Sequence, residues 1–286
     1  MSALGDSRPG SEIAKGATDK HSATDIAVGV STASVWPLKA GAAFEMAADL
    51  GYDGVEVMVW ADPVSQDVSA LRRWSRRTGV PVLSIHSPSL LITQRVWSPD
   101  PEVRLRMSVD AALELGARTV VVHPPFRWQR RYGDAFGDLV DELEEASGIE
   151  VAVENMFKVR PPGGSRTSRV SAFRPSIDPT DVGFRHYTLD LSHTAAAGMD
   201  ALALAERMGS GLTHVHLADG TGLPKDEHLV PGRGIEPCAE LLEKLVNSDF
   251  SGQIVLEINT RRSPNAAQRS RDLAESLLFA RFHLGQ

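Results

Sequence analysis

Residues 213–234 read THVHLADGTGLPKDEHLVPGRG. The run opens as a short alternation of apolar and polar residues, reaches His216, and breaks into a Gly/Pro-rich loop that carries Asp219, Asp226 and His228. A strand that ends this way delivers imidazole and carboxylate groups, hard and borderline metal ligands, to one edge of a sheet. What decides the fold is that the strand at 213–217 is one of eight. Short, β-branched apolar runs recur at 26–31 (IAVGVS), 54–59 (GVEVMV), 82–86 (VLSIH), 119–123 (TVVVH), 150–154 (EVAVE), 187–191 (YTLDL) and 254–258 (IVLEI).

Segments of helical periodicity separate them, at 40–50, 68–77, 102–115, 134–146, 195–208, 237–247 and 267–282. Leu50–Gly51 and Leu115–Gly116 put a glycine where a helix needs a left-handed stop before the next strand. No Gly-rich dinucleotide fingerprint follows the first strand, so the alternation predicts a single-domain α/β fold, a (β/α)8 TIM barrel over residues 25–286, rather than an open doubly wound sheet.

With 286 residues, 42% of them hydrophobic, the chain can bury a barrel-sized core. Its formal charge of −7 argues against a nucleic-acid partner, short of a local basic patch. The single cysteine, Cys238, excludes an intramolecular disulfide and a thiolate-rich zinc site, so a metal would have to sit on His, Asp and Glu. Residues 1–24 are polar and small, and no run approaches signal-peptide or membrane-span length. The expectation is a cytoplasmic protein with a disordered N-terminal tail over 1–24, and a homo-oligomer is compatible with it.

One insertion interrupts the rhythm. Residues 156–177 are rich in Pro, Gly and Ser, carry Lys158, Arg160, Arg166, Arg169 and Arg174, and contain no acid. Following the fifth strand, this basic loop would overhang the C-terminal mouth of a barrel, either as a solvated loop or as a phosphate-binding lid.

The strand ends carry the chemistry. His86, His123, Glu154, Asp190, His193, His216 and Glu257 close or follow strands three to eight, and Asp226 and His228 join from the loop after strand seven. A single strand-end histidine is more often a hydrogen-bonded core residue than a ligand. Five histidines and four carboxylates at one barrel mouth are different, because clustered carboxylates repel unless a cation or protons compensate.

The segments VENM at 153–156, LDLSH at 189–193, HVHLAD at 214–219, DEHLVPGRG at 226–234 and LEIN at 256–259 resemble the xylose-isomerase-like barrel superfamily, which includes sugar isomerases and epimerases and also endonuclease IV. The resemblance implies one divalent metal (Mn, Mg, Co or Zn) held by Glu154, Asp190, His216 and Glu257. Glu154 and Glu257 would also be the catalytic acid and base. His86, His123, His193, Asp226 and His228 match the additional ligands of the endonuclease IV branch, and in the sugar enzymes would line the substrate site instead. LDLSH departs from the DTCH-like segment usual in that branch.

The first expectation is therefore a metal-dependent isomerase or epimerase of a small sugar or sugar phosphate. It would work by proton transfer through a metal-stabilised ene-diolate, with Arg233 contacting an anionic group. The alternatives are an endonuclease-IV-like zinc phosphodiesterase acting on abasic DNA, and an inactive barrel that only binds a ligand. Glu56 reads equally as a substrate contact or an internal ion pair, and His214 as a core histidine one layer below His216. Trp36, Trp60, Trp97, Phe126 and Trp128 fall just after strands, where they could stack on a sugar or pack between loops.

Overall fold

The computed structural model describes residues 26–159 and 169–286. The expected tail over 1–24, and Arg160 and Arg166 of the basic insertion, lie outside the described residues. Eight parallel strands form a closed barrel in sequence order, with β8 pairing back onto β1: β1 (Ala27–Ser31), β2 (Gly54–Met58), β3 (Val82–His86), β4 (Thr119–Val122), β5 (Glu150–Glu154), β6 (Tyr187–Asp190), β7 (Leu212–Leu217) and β8 (Gln253–Leu256). The helices are α1 (Ala40–Leu50), α2 (Pro63–Gln66), α3 (Val68–Thr78), α4 (Pro101–Leu115), α5 (Arg130–Ser147), α6 (Leu191–Ala197), α7 (Ala201–Met208), α8 (Cys238–Val246) and α9 (Ala266–Leu284). Gly51 and Gly116 adopt positive φ as stops of α1 and α4, where a side chain would be strained.

Strand periodicity divides the barrel chemically. Val55, Val57, Ile85, Val215 and Leu217 belong to the continuous apolar core shared with the helices. The alternate positions Glu56, Ser84, His86, Thr188, Asp190, His214 and His216 turn to the interior, where all are buried. Below them Leu83 fills space left by two glycines. A Cβ on Gly29 or Gly54 would stand 2.7 or 2.5 Å from its side chain.

One helix differs from expectation. The segment at 195–208 is not continuous: α6 begins at Leu191, directly after β6, and a turn at Gly198 (φ 65°) separates it from α7. Asp190 caps α6 by accepting a hydrogen bond from His193 N at 2.8 Å, which fixes His193 one turn from the strand end. Asp200 starts α7 in the same way, accepting from Leu202 N and Ala203 N. Two caps and a left-handed glycine within eleven residues outweigh the apolar periodicity that runs through them. Helix α5 begins a turn before the expected position 134, at Arg130.

Candidate metal centre

His216 is the hub of the interior cluster. Its Nε2 lies 3.0 Å from Glu56 Oε1, while its Nδ1 faces Glu154 Oε1 at 3.3 Å, Glu257 Oε2 at 3.3 Å and Asp190 Oδ2 at 3.5 Å. An ionised carboxylate only accepts hydrogen bonds, so Glu56 selects the tautomer protonated on Nε2 and leaves Nδ1 with a lone pair toward the other three acids. Glu56 is itself held: Ser84 Oγ donates to its Oε2 at 2.8 Å and His214 Nε2 lies 3.0 Å from the same oxygen. His214 Nδ1 meets Gln253 Nε2 at 3.1 Å, which continues the polar chain down the barrel axis.

The residues present fit a cation at this point. Asp190 Oδ2 and Glu257 Oε2, which both face Nδ1, are buried carboxylate oxygens with no hydrogen-bond partner, a state that is costly unless a positive charge compensates. Two ligand atoms each about 2.1 Å from a common ion stand about 3.0 Å apart at an octahedral right angle and about 3.4 Å apart in a tetrahedron. The spacings of 3.3, 3.3 and 3.5 Å around His216 Nδ1 lie at or just beyond the upper end of that range. Burial disfavours charge on His216, yet Glu56 and Glu257 outweigh it and raise its pKa well above the ordinary imidazole value. The site calls for a positive charge at Nδ1, and a metal ion can take the place of that proton.

Two further groups flank the hub. His86 Nε2 and His123 Nε2 lie 3.4 and 3.0 Å from Glu154 Oε2, with His86 Nδ1 placed 3.1 Å from Ser87 O. On the other side, His193 Nε2 and His228 Nε2 approach Asp226 Oδ2 at 3.6 and 2.9 Å. The ring orientations there are set by backbone carbonyls: His193 Nδ1 donates to Asn155 O at 2.9 Å and His228 Nδ1 to Glu257 O at 2.7 Å. His228 adopts φ 47°, a strained conformation for a residue with a side chain, maintained by these contacts and by Ser192 Oγ, which accepts from His228 N at 2.9 Å. Burial lowers the pKa of His228, but Asp226 outweighs it and brings it to about 10.

Asp219 does not reach this cluster and has a different task. Its Oδ1 accepts from Gly220 N and Glu236 N, and its Oδ2 from Gly232 N and Gly234 N, all between 2.8 and 3.0 Å. It ties down the loop that brings Asp226 and His228 to the mouth. Arg233, expected to contact an anionic group, is drawn to α9 instead, where its guanidinium pairs with Glu275 at 2.6 Å and Asp272 at 3.1 Å. Glu56, which sequence could not assign, proves to be the carboxylate that faces both strand β7 histidines.

Of the described basic-loop residues, Arg174 pairs with Asp134 at 3.0 Å. The loop reaches the centre with aromatics: Phe157 packs on His193 at 4.9 Å between ring centroids and Phe173 on His123 at 6.3 Å. Phe126 stacks with Trp128 and Phe173. Trp97 donates its indole N–H to Gln66 O. Trp36 and Trp60, by contrast, line a cavity of about 620 Å³ whose wall includes His228 and Glu257, so the cavity abuts the ligand cluster.

Comparison with known proteins places this arrangement. A family model described as the xylose isomerase-like TIM barrel matches residues 44–281. The chain belongs to that family. This xylose isomerase-like barrel is 57% identical over 274 residues to the uncharacterized protein Rv0498 of Mycobacterium tuberculosis, covering 91% of this chain and 98% of that one. Among solved structures, a D-psicose 3-epimerase in the presence of D-fructose aligns with a TM-score of 0.64 at 16% identity, over 91% of this chain and 100% of that one. The IOLI protein with a bound zinc atom aligns with a TM-score of 0.67 at 15% identity, over 90% and 99% of the two chains. At those identities the two structures share the fold with this barrel.

Proposed function

We propose that this barrel is a divalent-metal-dependent isomerase or epimerase of a small sugar or sugar phosphate. The observation that supports it best is the convergence of Glu154, Asp190 and Glu257 on His216 Nδ1, the last two through buried oxygens with no hydrogen-bond partner, beside a cavity of small-molecule size. The structural neighbour named as a psicose 3-epimerase supports the substrate class.

Glu154, Asp190, His216 and Glu257 would hold the ion. A divalent cation there would supply Lewis-acid stabilisation of the negative charge that builds on adjacent sugar oxygens as a proton leaves carbon. Glu154 on β5 and Glu257 after β8 come from well-separated strands, so they can serve opposite faces of a bound sugar, one removing a proton and the other returning it. Their environments differ in the way two roles require. Burial pushes the Glu257 pKa up, while at Glu154 the same effect is outweighed by His123 and His193, which hold its carboxylate well below the usual range. Trp36 and Trp60 would give the sugar an apolar wall.

The flanking groups favour a second reading. His86 and His123 around Glu154, and His193 and His228 around Asp226, could hold further ions, as a zinc phosphodiesterase requires. Against it stand the formal charge of −7 and the size of the cavity.

The test is solvent-deuterium incorporation into a panel of ketoses, followed by NMR with the metal-loaded protein. Exchange at carbon should require both Glu154 and Glu257. Exchange that survives Glu154→Gln or Glu257→Gln would contradict the two-carboxylate mechanism, and cleavage of an abasic-site duplex would move the assignment to the phosphodiesterase.

A further inference from the structure

We propose that the substrate carries an anionic group, a phosphate or a carboxylate, at the end remote from the metal centre, and that Arg261 and Lys39 bind it. The inference rests on the isomerase or epimerase reading of the same site and adds to it the charge and direction of the bound molecule. The cavity is lined by His228 and Glu257 of the ligand cluster and also by Trp36, Trp60, Lys39 and Arg261. A sugar that fills this cavity with its reacting carbons at the cluster has the other four residues to meet the rest of it.

Arg261 is arranged for such a contact. Its guanidinium carbon lies 4.2 Å from the centroid of the Trp36 ring, and its backbone N–H donates to Asn259 Oδ1 at 3.1 Å, which fixes the turn after β8. A guanidinium laid on an indole face keeps the N–H fork at its edge available for two parallel hydrogen bonds to a phosphate or carboxylate. Among the described residues, no carboxylate stands within 4.0 Å of Arg261 or Lys39. Of the two acids in the cavity wall, Glu257 belongs to the ligand cluster and Asp62 is already used: its Oδ2 accepts from Ala40 N at 2.7 Å and its Oδ1 from Val64 N at 3.1 Å. The cavity thus joins two cations without acidic partners to an aromatic wall. Arg233, next to the ligand loop in sequence, is paired with acids on α9.

The experiment is calorimetric binding to the metal-loaded full chain of three probes matched in carbon number: fructose, fructose 6-phosphate and fructuronate. Wild type, Arg261→Gln, Lys39→Gln and the double variant are compared. The expected result is that at least one anionic sugar binds about 10-fold or more tightly than fructose, and that this advantage falls by about 3-fold or more in each single variant and to near unity in the double one. A preference for the phosphate or for the carboxylate identifies which anion the site takes. Equal binding of all three, no measurable binding of either anion, or an anionic advantage that survives the double substitution would overturn the proposal. Binding is read without turnover, so an anion site with no carbon-proton exchange would count against the isomerase reading alone.

Discussion

Replacing Glu56 by Gln removes one negative charge from the barrel interior at nearly constant volume. In the wild type, Glu56 Oε1 sits 3.0 Å from His216 Nε2 and Oε2 sits 3.0 Å from His214 Nε2, so one anion serves two imidazoles. Glutamine offers a single acceptor oxygen and an amide that donates, so it can satisfy one ring only and sets the other against a donor. The His216 tautomer then loses its constraint, and Nδ1 is no longer reserved for the three acids that face it. Partners that orient a metal-bound histidine are typically worth about 10–100-fold in metal affinity, or about 1.4–2.7 kcal/mol. The higher end is expected here, because Glu56 and both rings are fully buried and no solvent can replace the lost charge. The assay is competition between the protein and a chelator for Mn2+ or Zn2+, with circular dichroism to confirm folding. Ser84→Ala, which removes only a neutral donor to the same carboxylate, should cost less. An unchanged affinity in Glu56→Gln, alongside its loss in His216→Ala, would refute the reasoning that Glu56 sets the ligand tautomer.

Other consequences can be measured separately. In the metal-free protein the pKa values of His193 and His216 are raised, burial being outweighed by neighbouring acids, so metal must displace protons. Apparent affinity should therefore fall between about pH 8 and about pH 6, as titration at each pH would read. Asp219→Ala frees four backbone N–H groups at once and should cost about 3 kcal/mol in denaturant unfolding, with weaker substrate binding as the Asp226 and His228 loop loosens. His186, away from the cluster, has its pKa raised by its hydrogen bond to Glu144 against the opposing effect of burial. That contribution is fully present below the unfolded value of about 6.5 and is lost as pH rises through the folded value. The stability gap between wild type and His186→Gln should therefore be larger at about pH 6 than at about pH 9.

The strands and the polar residues that close them were legible because both are local. A barrel strand buried on two faces reads as a β-branched run, and a ligand at its carboxyl end reads as the polar residue that closes it, as in VVVH ending at His123. Glu56 was not legible, since a carboxylate within a strand gives no sign of its partner. Only barrel closure brings β2 across from His214 and His216 on β7. The partners of Arg233 were not legible for the opposite reason. It stands beside the ligands in DEHLVPGRG, but the chain turns at Gly232 (φ 85°) and delivers the side chain to acids on α9, more than 35 residues later. The split of 195–208 followed from two Asp caps that were visible in the sequence, Asp190 and Asp200, whose weight against a continuous apolar pattern depends on where β6 ends.

The central claim is that a divalent ion sits among Glu154, Asp190, His216 and Glu257. Anomalous diffraction from crystals of the protein loaded with Mn2+, recorded on both sides of the metal's absorption edge, tests it directly. The account predicts a peak within bonding distance of His216 Nδ1 and of oxygens from all three acids, absent in His216→Ala. No peak there in the loaded wild type, or ions confined to the His86 and His123 or the Asp226 and His228 groups, would contradict it.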